Sequence, residues 1–316
     1  LTPNPSIDAT LGVPNLDRGA VTRATSAVRE PGGKGINVSH VVLKAGRETL
    51  AVAPCGSDDP FALAVRSVDM PFAPVLIDGY VRTNTAITEP DGTTTKINEA
   101  GPTLDADALA ALDAEVVRRA AGAQAIVLAG SLPPGAPEDY YGRLVAKLCE
   151  ATDALTAVDT SDAPLVALGR HLGEAAPDVM KPNAFELAQL TGRDNGAELE
   201  ASAARGDFGP VVDAARSLIV TGARQILVTL GGSGACLVTA EGAWSATPPP
   251  ITVRSTVGAG DSSLAGYVMA VTDGRAPAEC LQQAVAYGSA AASLPGTGLP
   301  SPADVDVEGV RVEQIA

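Results

Sequence analysis

The chain has 316 residues, 46% of them hydrophobic and only 3% aromatic, and carries a net charge of −15. That composition excludes a disordered protein, and no apolar run reaches the roughly 18 residues that a membrane span needs. The charge argues against nucleic acid or an anionic membrane as partner, so any of the 22 Lys and Arg residues that cluster in glycine motifs need a reason to be there.

The opening Leu1-Thr2-Pro3-Asn4-Pro5 has neither a charged region nor an apolar core, so no signal peptide is expected. It also lacks Met, and the natural start is expected a few residues earlier. Cys55, Cys149, Cys236 and Cys280 lie far apart without a C-x-x-C, as for reduced thiols in a cytoplasmic protein. His40 and His171 are the only histidines, which disfavours zinc and His-based triads.

In chain order, Asn4-Pro5-Ser6-Ile7-Asp8 reads as the end of a first strand, with Asp8 a turn former or a polar contact. Residues 9–30 and 80–100 alternate polar and apolar and carry the hairpin signal Asp91-Gly92. They are expected to form a small antiparallel lid on a body of residues 1–8, 31–79 and 101–316. One lid face, with Leu11, Val13, Val21, Ala86 and Ile87, is expected to pair two lids in a homodimer. Buried parallel strands are expected at 49–53, 125–129, 155–158 and 226–230. Helices are expected at 35–46, 105–121, 137–150, 184–191, 210–222, 261–273 and 276–293. Strands alternating with helices imply an α/β fold, a parallel sheet covered on both faces. Residues 56–79 read as short and irregular.

The candidate site residues follow strands or open helices, where ligands of such sheets sit. Pro31-Gly32-Gly33-Lys34-Gly35-Ile36-Asn37 is a glycine turn entering a helix, in which Lys34 and Asn37 suit sugar hydroxyls or phosphate; a structural turn is the plainer alternative. Arg82 and Lys96 flank the hairpin turn, as phosphate contacts or as solvated charges. Ser131 directly follows the strand 125–129. Asn183 and Glu186 share one helix face, as a water-mediated Mg²⁺ site or as a capping box. Thr229 and Gly231 offer backbone to a nucleotide. Val257-Gly258-Ala259-Gly260-Asp261-Ser262 opens another helix, where first-turn amides form an anion site. A carboxylate there makes sense as a base acting on a hydroxyl that attacks phosphorus, although a simple helix cap stands beside that reading. No Walker A loop occurs, and Ser263 breaks the dinucleotide fingerprint.

Asn4-Pro5-x-x-Asp8, Gly32-Gly33-Lys34-Gly35-Ile36-Asn37-Val38, Gly130-Ser131-Leu132-Pro133-Pro134-Gly135, Lys181-Pro182-Asn183-x-x-Glu186 and Thr256-Val257-Gly258-Ala259-Gly260-Asp261 occur here in one order. In that order they resemble the ribokinase-like (PfkB) sugar kinases, above all the branch acting on fructose 1-phosphate and tagatose 6-phosphate. The resemblance implies a three-layer sandwich with a β-sheet lid, ATP and Mg²⁺ as cofactors, and often a dimer through the lids. By position it implies Asp261 as catalytic base with Gly258, Ala259 and Gly260 as its anion hole. It implies Asp8, Gly32, Gly33 and Asn37 at the sugar, and Lys34, Arg82, Lys96 and Ser131 near the acceptor's own phosphate. Arg23 would reach a partner's site, and Lys181, Asn183, Glu186, Thr229 and Gly231 would serve nucleotide and metal. The expected reaction is phosphorylation of fructose 1-phosphate. The alternatives are fructose 6-phosphate or tagatose 6-phosphate as acceptor, and a non-catalytic sugar-phosphate sensor.

Overall fold

A computed structural model describes residues 1–315. Strand residues point alternately to opposite faces, and here both faces are covered. In Gln225–Thr229, Ile226 and Val228 join one hydrophobic cluster while Leu227 joins the other. The resulting seven-stranded sheet runs in the order Arg311–Gln314, Ala243–Thr247, Ala235–Thr239, Gln225–Thr229, Val179–Met180, Leu155–Asp159, Ala125–Ala129. The last four are parallel and the first three antiparallel.

Helices Ala106–Ala120, Tyr140–Ala151 and Gly209–Val220 pack on one face, and Lys34–Lys44, Ala259–Thr272 and Pro277–Ser293 on the other. In the first of these, Leu109, Leu112, Val116 and Ala120 form the buried stripe, and the Asp105 carboxylate caps it by accepting from the Ala108 amide at 2.8 Å. All seven expected helices are present within a few residues of their expected ends.

Several expectations need correcting. Residues 56–79 are not irregular: they hold helix Pro60–Ser67 and strand Phe72–Leu76. Asp59 starts that helix, accepting from Phe61 N at 2.9 Å and also from Val81 N at 2.7 Å. Strand Ala51–Cys55 pairs with Phe72–Leu76 in a sheet of two rather than directly with the large one. The N-terminal residues splice the two sheets, since Thr2 N donates to Val52 O and Ala129 N to Leu1 O.

A separate four-stranded sheet has the order Ser26–Gly32, Ser6–Gly12, Arg82–Thr88, Thr94–Asn98. It is not wholly antiparallel, because Ser6–Gly12 and Arg82–Thr88 run parallel. Parallel neighbours need a long crossover, and residues 33–81, which belong to the body, supply it. Asp8 is not the end of its strand but its third residue. Register fixes the faces: Ser6, Asp8, Glu30, Gly32, Arg82, Asn84, Ala86 and Lys96 share the inner one. Ile7, Leu11, Ile87 and Ile97 share the outer one. Ala86 is therefore not on the outer apolar face, and Val13 is buried. Among the described residues no helix is long and apolar enough to cross a membrane.

Candidate active site

Helix Ala259–Thr272 begins at Gly258, whose backbone is left-handed with φ 75°. A Cβ at Gly258 would also stand 2.9 Å from Leu299 Cδ2, so the turn needs glycine twice over. The first-turn amides and the dipole's positive end thereby face one spot. Asp261 lies in that turn, 8% exposed, and accepts from Asn37 Nδ2 at 2.7 Å. Burial, reinforced by the nearby Asp159 charge, pushes its carboxyl up to about 6, against the pull of Lys34, Asn37 and Lys181. A base poised there accepts a proton readily at neutral pH.

Beside it lies a cluster centred on Asp159, at the carboxyl end of Leu155–Asp159. Lys34 Nζ stands 2.7 Å from Asp159 Oδ1 and Lys181 Nζ 3.0 Å from Oδ2. Burial works against the Lys34 ammonium, but Asp159, with Asp261 and Glu186 behind it, raises its pKa above the ordinary lysine value. Burial likewise works against the Asp159 carboxylate, yet Lys181 and Lys34 hold it below the usual range. Lys181 reaches the anion hole, since a Cβ at Gly260 would be 3.3 Å from its Nζ. Asp159 is absent from the sequence motifs above. The one signal for it was its place at a strand's carboxyl end.

On the other side of Asn37, Asp8 accepts from Ser6 Oγ at 2.7 Å and Asn84 Nδ2 at 3.2 Å. Its carboxyl group lies over Gly32, where a Cβ would be 2.3 Å from Asp8 Cγ. Gly33 is the N-cap of the helix that carries Lys34 and Asn37. Arg82 donates to Asn4 O at 3.3 Å, Ser131 Oγ at 3.2 Å and Glu99 O at 3.2 Å. Its Nε is buried with no partner, and burial lowers its pKa despite the offsetting charge of Asp8. A guanidinium held by neutral oxygens with one N–H unspent is a receptor for an anion. Asn4 and Asn84 are further polar contacts that the sequence reading left without a role. Two residues are not brought in. Lys96 faces the same side as Arg82 but lies opposite Ala86, exposed, and Arg23 is exposed in the loop after residue 20. Neither has an ion-pair partner among the described residues.

Toward the large sheet, Asn183 and Glu186 form a reciprocal capping box: Asn183 N donates to Glu186 Oε2 at 2.8 Å and Glu186 N to Asn183 Oδ1 at 2.9 Å. Burial raises the Glu186 pKa, while the Asn183 amide and the two lysines pull the other way. The cap uses one Glu186 oxygen, and the charges of Lys34 and Lys181 act on the carboxylate from nearby. Among the described residues no group of three His, Cys, Asp or Glu side chains makes a metal cage. Such an arrangement fits Mg²⁺ held through its own waters and a ligand's phosphates, not a protein-caged ion. Thr229 N donates to Pro182 O, which joins the end of its strand to Asn183, and Gly231 follows in an exposed turn at φ 55°.

The sequence matches the model of the pfkB family carbohydrate kinases over residues 4–304. It is 33% identical to a 1-phosphofructokinase of Xanthomonas campestris over 291 residues, 91% of this chain and 88% of that protein. It is 34% identical to a 1-phosphofructokinase of Rhodobacter capsulatus, covering 95% of this chain and 91% of the relative. Among solved structures, phosphofructokinase-2 from Escherichia coli in complex with potassium aligns with TM-score 0.85 and 28% identity, over 96% of this chain and 94% of that one.

Proposed function

The chain belongs to the pfkB carbohydrate kinase family and is an ATP-dependent phosphotransferase; from that premise we propose that its acceptor is a ketohexose phosphate, fructose 1-phosphate, giving fructose 1,6-bisphosphate. The observation that carries this reading is Arg82, half-buried among neutral oxygens beside Asp8 with its Nε unpartnered. A plain sugar offers that group no anion, whereas a phosphate does. The 1-phosphofructokinase relatives support the same acceptor.

In this reading Asp8 and Asn37 bind sugar hydroxyls, Arg82 and Ser131 hold the acceptor's phosphate, and Asp261 takes the proton of the attacking hydroxyl. Lys34 and Lys181 exchange their hold on Asp159 for phosphate oxygens. The first-turn amides at 258–261 stabilise the charge gathering on the transferring group. Mg²⁺, held through water by Asn183 and Glu186, would neutralise charge between the nucleotide's phosphates. The four-stranded sheet acts as a lid that excludes water as a competing acceptor. Thr229 and Gly231 line the nucleotide site. Lys96 and Arg23 serve the acceptor's phosphate and a partner subunit's site from outside the cluster.

Kinetics over a panel of fructose 1-phosphate, fructose 6-phosphate, tagatose 6-phosphate and free fructose test the reading. The highest kcat/KM is expected for fructose 1-phosphate. Arg82→Met should raise KM for that acceptor at least tenfold and leave KM for ATP within about twofold, the size of one lost charge-assisted contact. An equal loss toward free fructose would show that Arg82 does not read phosphate.

A further inference from the structure

Helix Pro277–Ser293 is followed by a short loop, Pro295–Pro300, that has no role in the reaction described above. Its contacts reach two separate parts of the molecule. Thr297 Oγ1 donates to a carboxylate oxygen of Glu30, which stands opposite Asp8 on the inner face of the four-stranded sheet. Lys44 Nζ, in the last turn of the helix that carries Lys34 and Asn37, donates to the Leu299 carbonyl. Between these ties, Leu299 is buried and its Cδ2 occupies the space beside Gly258 where a Cβ would fall, 2.9 Å from that position. A cavity of about 140 Å³, lined by Asp8, Asn37, His40, Gly258 and Thr297, lies where the two sides meet.

The segment that leads into the anion hole has little else to hold it. Residues 251–256 form no regular element, and Ile251 and Val253 are exposed. Their backbone ties to the body are Arg254 N and Ser255 N, both to Ala292 O. Gly258, in a conformation that glycine enters and leaves readily, has Leu299 as its backing. We infer that Thr297, tied to Glu30, and Lys44, tied to Leu299, form a strut that positions the anion-hole turn against the acceptor strand. They are positioning residues for phosphoryl transfer, acting through Leu299 on Gly258. The strut spans the distance that matters, because Asp8 binds the acceptor and Gly258 to Gly260 receive the phosphoryl group. A misplacement of about 1 Å between them costs on the order of 10²-fold in rate.

This inference rests on the kinase reading, and its test has an arm that does not. Thr297→Val keeps the shape and removes the hydroxyl. It should lower kcat about tenfold while KM for ATP changes less than about twofold, a split expected when only transition-state alignment is lost. Hydrogen exchange at the amides of residues 257–260 should quicken about tenfold, with the rest of the chain unchanged. Thr297→Ser should restore both readouts, and Lys44→Met should reproduce the exchange effect. Wild-type kcat and exchange in Thr297→Val would overturn the strut. So would a loss of activity with unchanged exchange at 257–260, or one that merely follows a fall in global melting temperature. Failure of the acceptor reading would show differently, as a wild-type protein that turns over none of the ketohexose phosphates while the exchange arm still reports on the strut.

Discussion

Asp261 carries two consequences of opposite sign, both from its pKa of about 6. As a base it works only when charged, so kcat should fall with acid through an inflection near pH 6. For stability the group is a burden. Between about pH 4 and pH 6 the folded chain keeps a proton that the unfolded chain has released, so stability falls as pH rises through that window and stays lower above it. Asp261→Asn should therefore lose 10²–10⁴ in turnover yet be more stable at pH 8 by on the order of 2–3 kcal/mol, from about two pKa units. Melting curves at pH 8 and pH 4 check this, with the gain gone at the lower pH. Retention of more than about a tenth of kcat would remove Asp261 from the role of base. Asp159 acts on Asp261 through charge, and its removal should shift the acid inflection of kcat to lower pH. Asp159→Asn also leaves the ammonium of Lys181, 4% exposed, without its carboxylate, so a melting point lower by several degrees should accompany the shift.

At the scale of elements, one capping box stands at the proposed metal site, and its two possible roles are separable. Glu186→Gln keeps an oxygen for the Asn183 amide and removes the charge. Stability should stay within about 1 kcal/mol of wild type, the usual worth of a cap, while the Mg²⁺ concentration for half-maximal rate rises several-fold. An unchanged Mg²⁺ requirement would leave Glu186 a cap alone. This element was legible in the sequence because both its readings depend on an i, i+3 spacing. The long helices were legible for a related reason, their apolar period, and the turns around Gly32 and Gly258 through glycine. Helix Pro60–Ser67 was not: eight residues give little periodicity, and the Asp59 carboxylate that starts it also binds Val81 N, a contact 22 residues away that only the fold makes. The antiparallel strands Ala235–Thr239 and Ala243–Thr247 are only five residues each, and in the second Ser245 interrupts the apolar run that marks a buried strand. Asp159 was invisible for a different reason. Its meaning comes from lysines 125 and 22 residues away, which only the fold assembles.

For the molecule as a whole, Ile7 on the outer face of the four-stranded sheet packs against the core of the body, while the same face presents Leu11, Ile87 and Ile97, the last 58% exposed, with Val21 exposed in the loop nearby. A small sheet with such a face is marginal alone. Light scattering at assay concentration should report a dimer, and Ile97→Asp should shift it toward monomer. Mixing Arg23→Ala with Asp261→Asn subunits should recover part of the activity if Arg23 completes a partner's site, and no recovery would assign each site to one chain. The same sheet has a mechanical property set by its register. The chain crosses between sheet and body at Ser6, Gly32 and Arg82, which stand in one row, and again at Asn98, opposite Asn84. If the sheet works as a lid, that row would serve as its pivot. At about 3.3 Å per residue, Asp8 and Asn84 lie about 7 Å from it and Thr88 about 20 Å. A swing of about 10° would move the tip by roughly 3.5 Å but Asp8 by only about 1 Å. Spin labels at Thr88 and at Asn84, each paired with one on the body, should show a broad distance distribution at the first and a narrow one at the second. A narrow distribution at both labels would show that the sheet does not turn about this row.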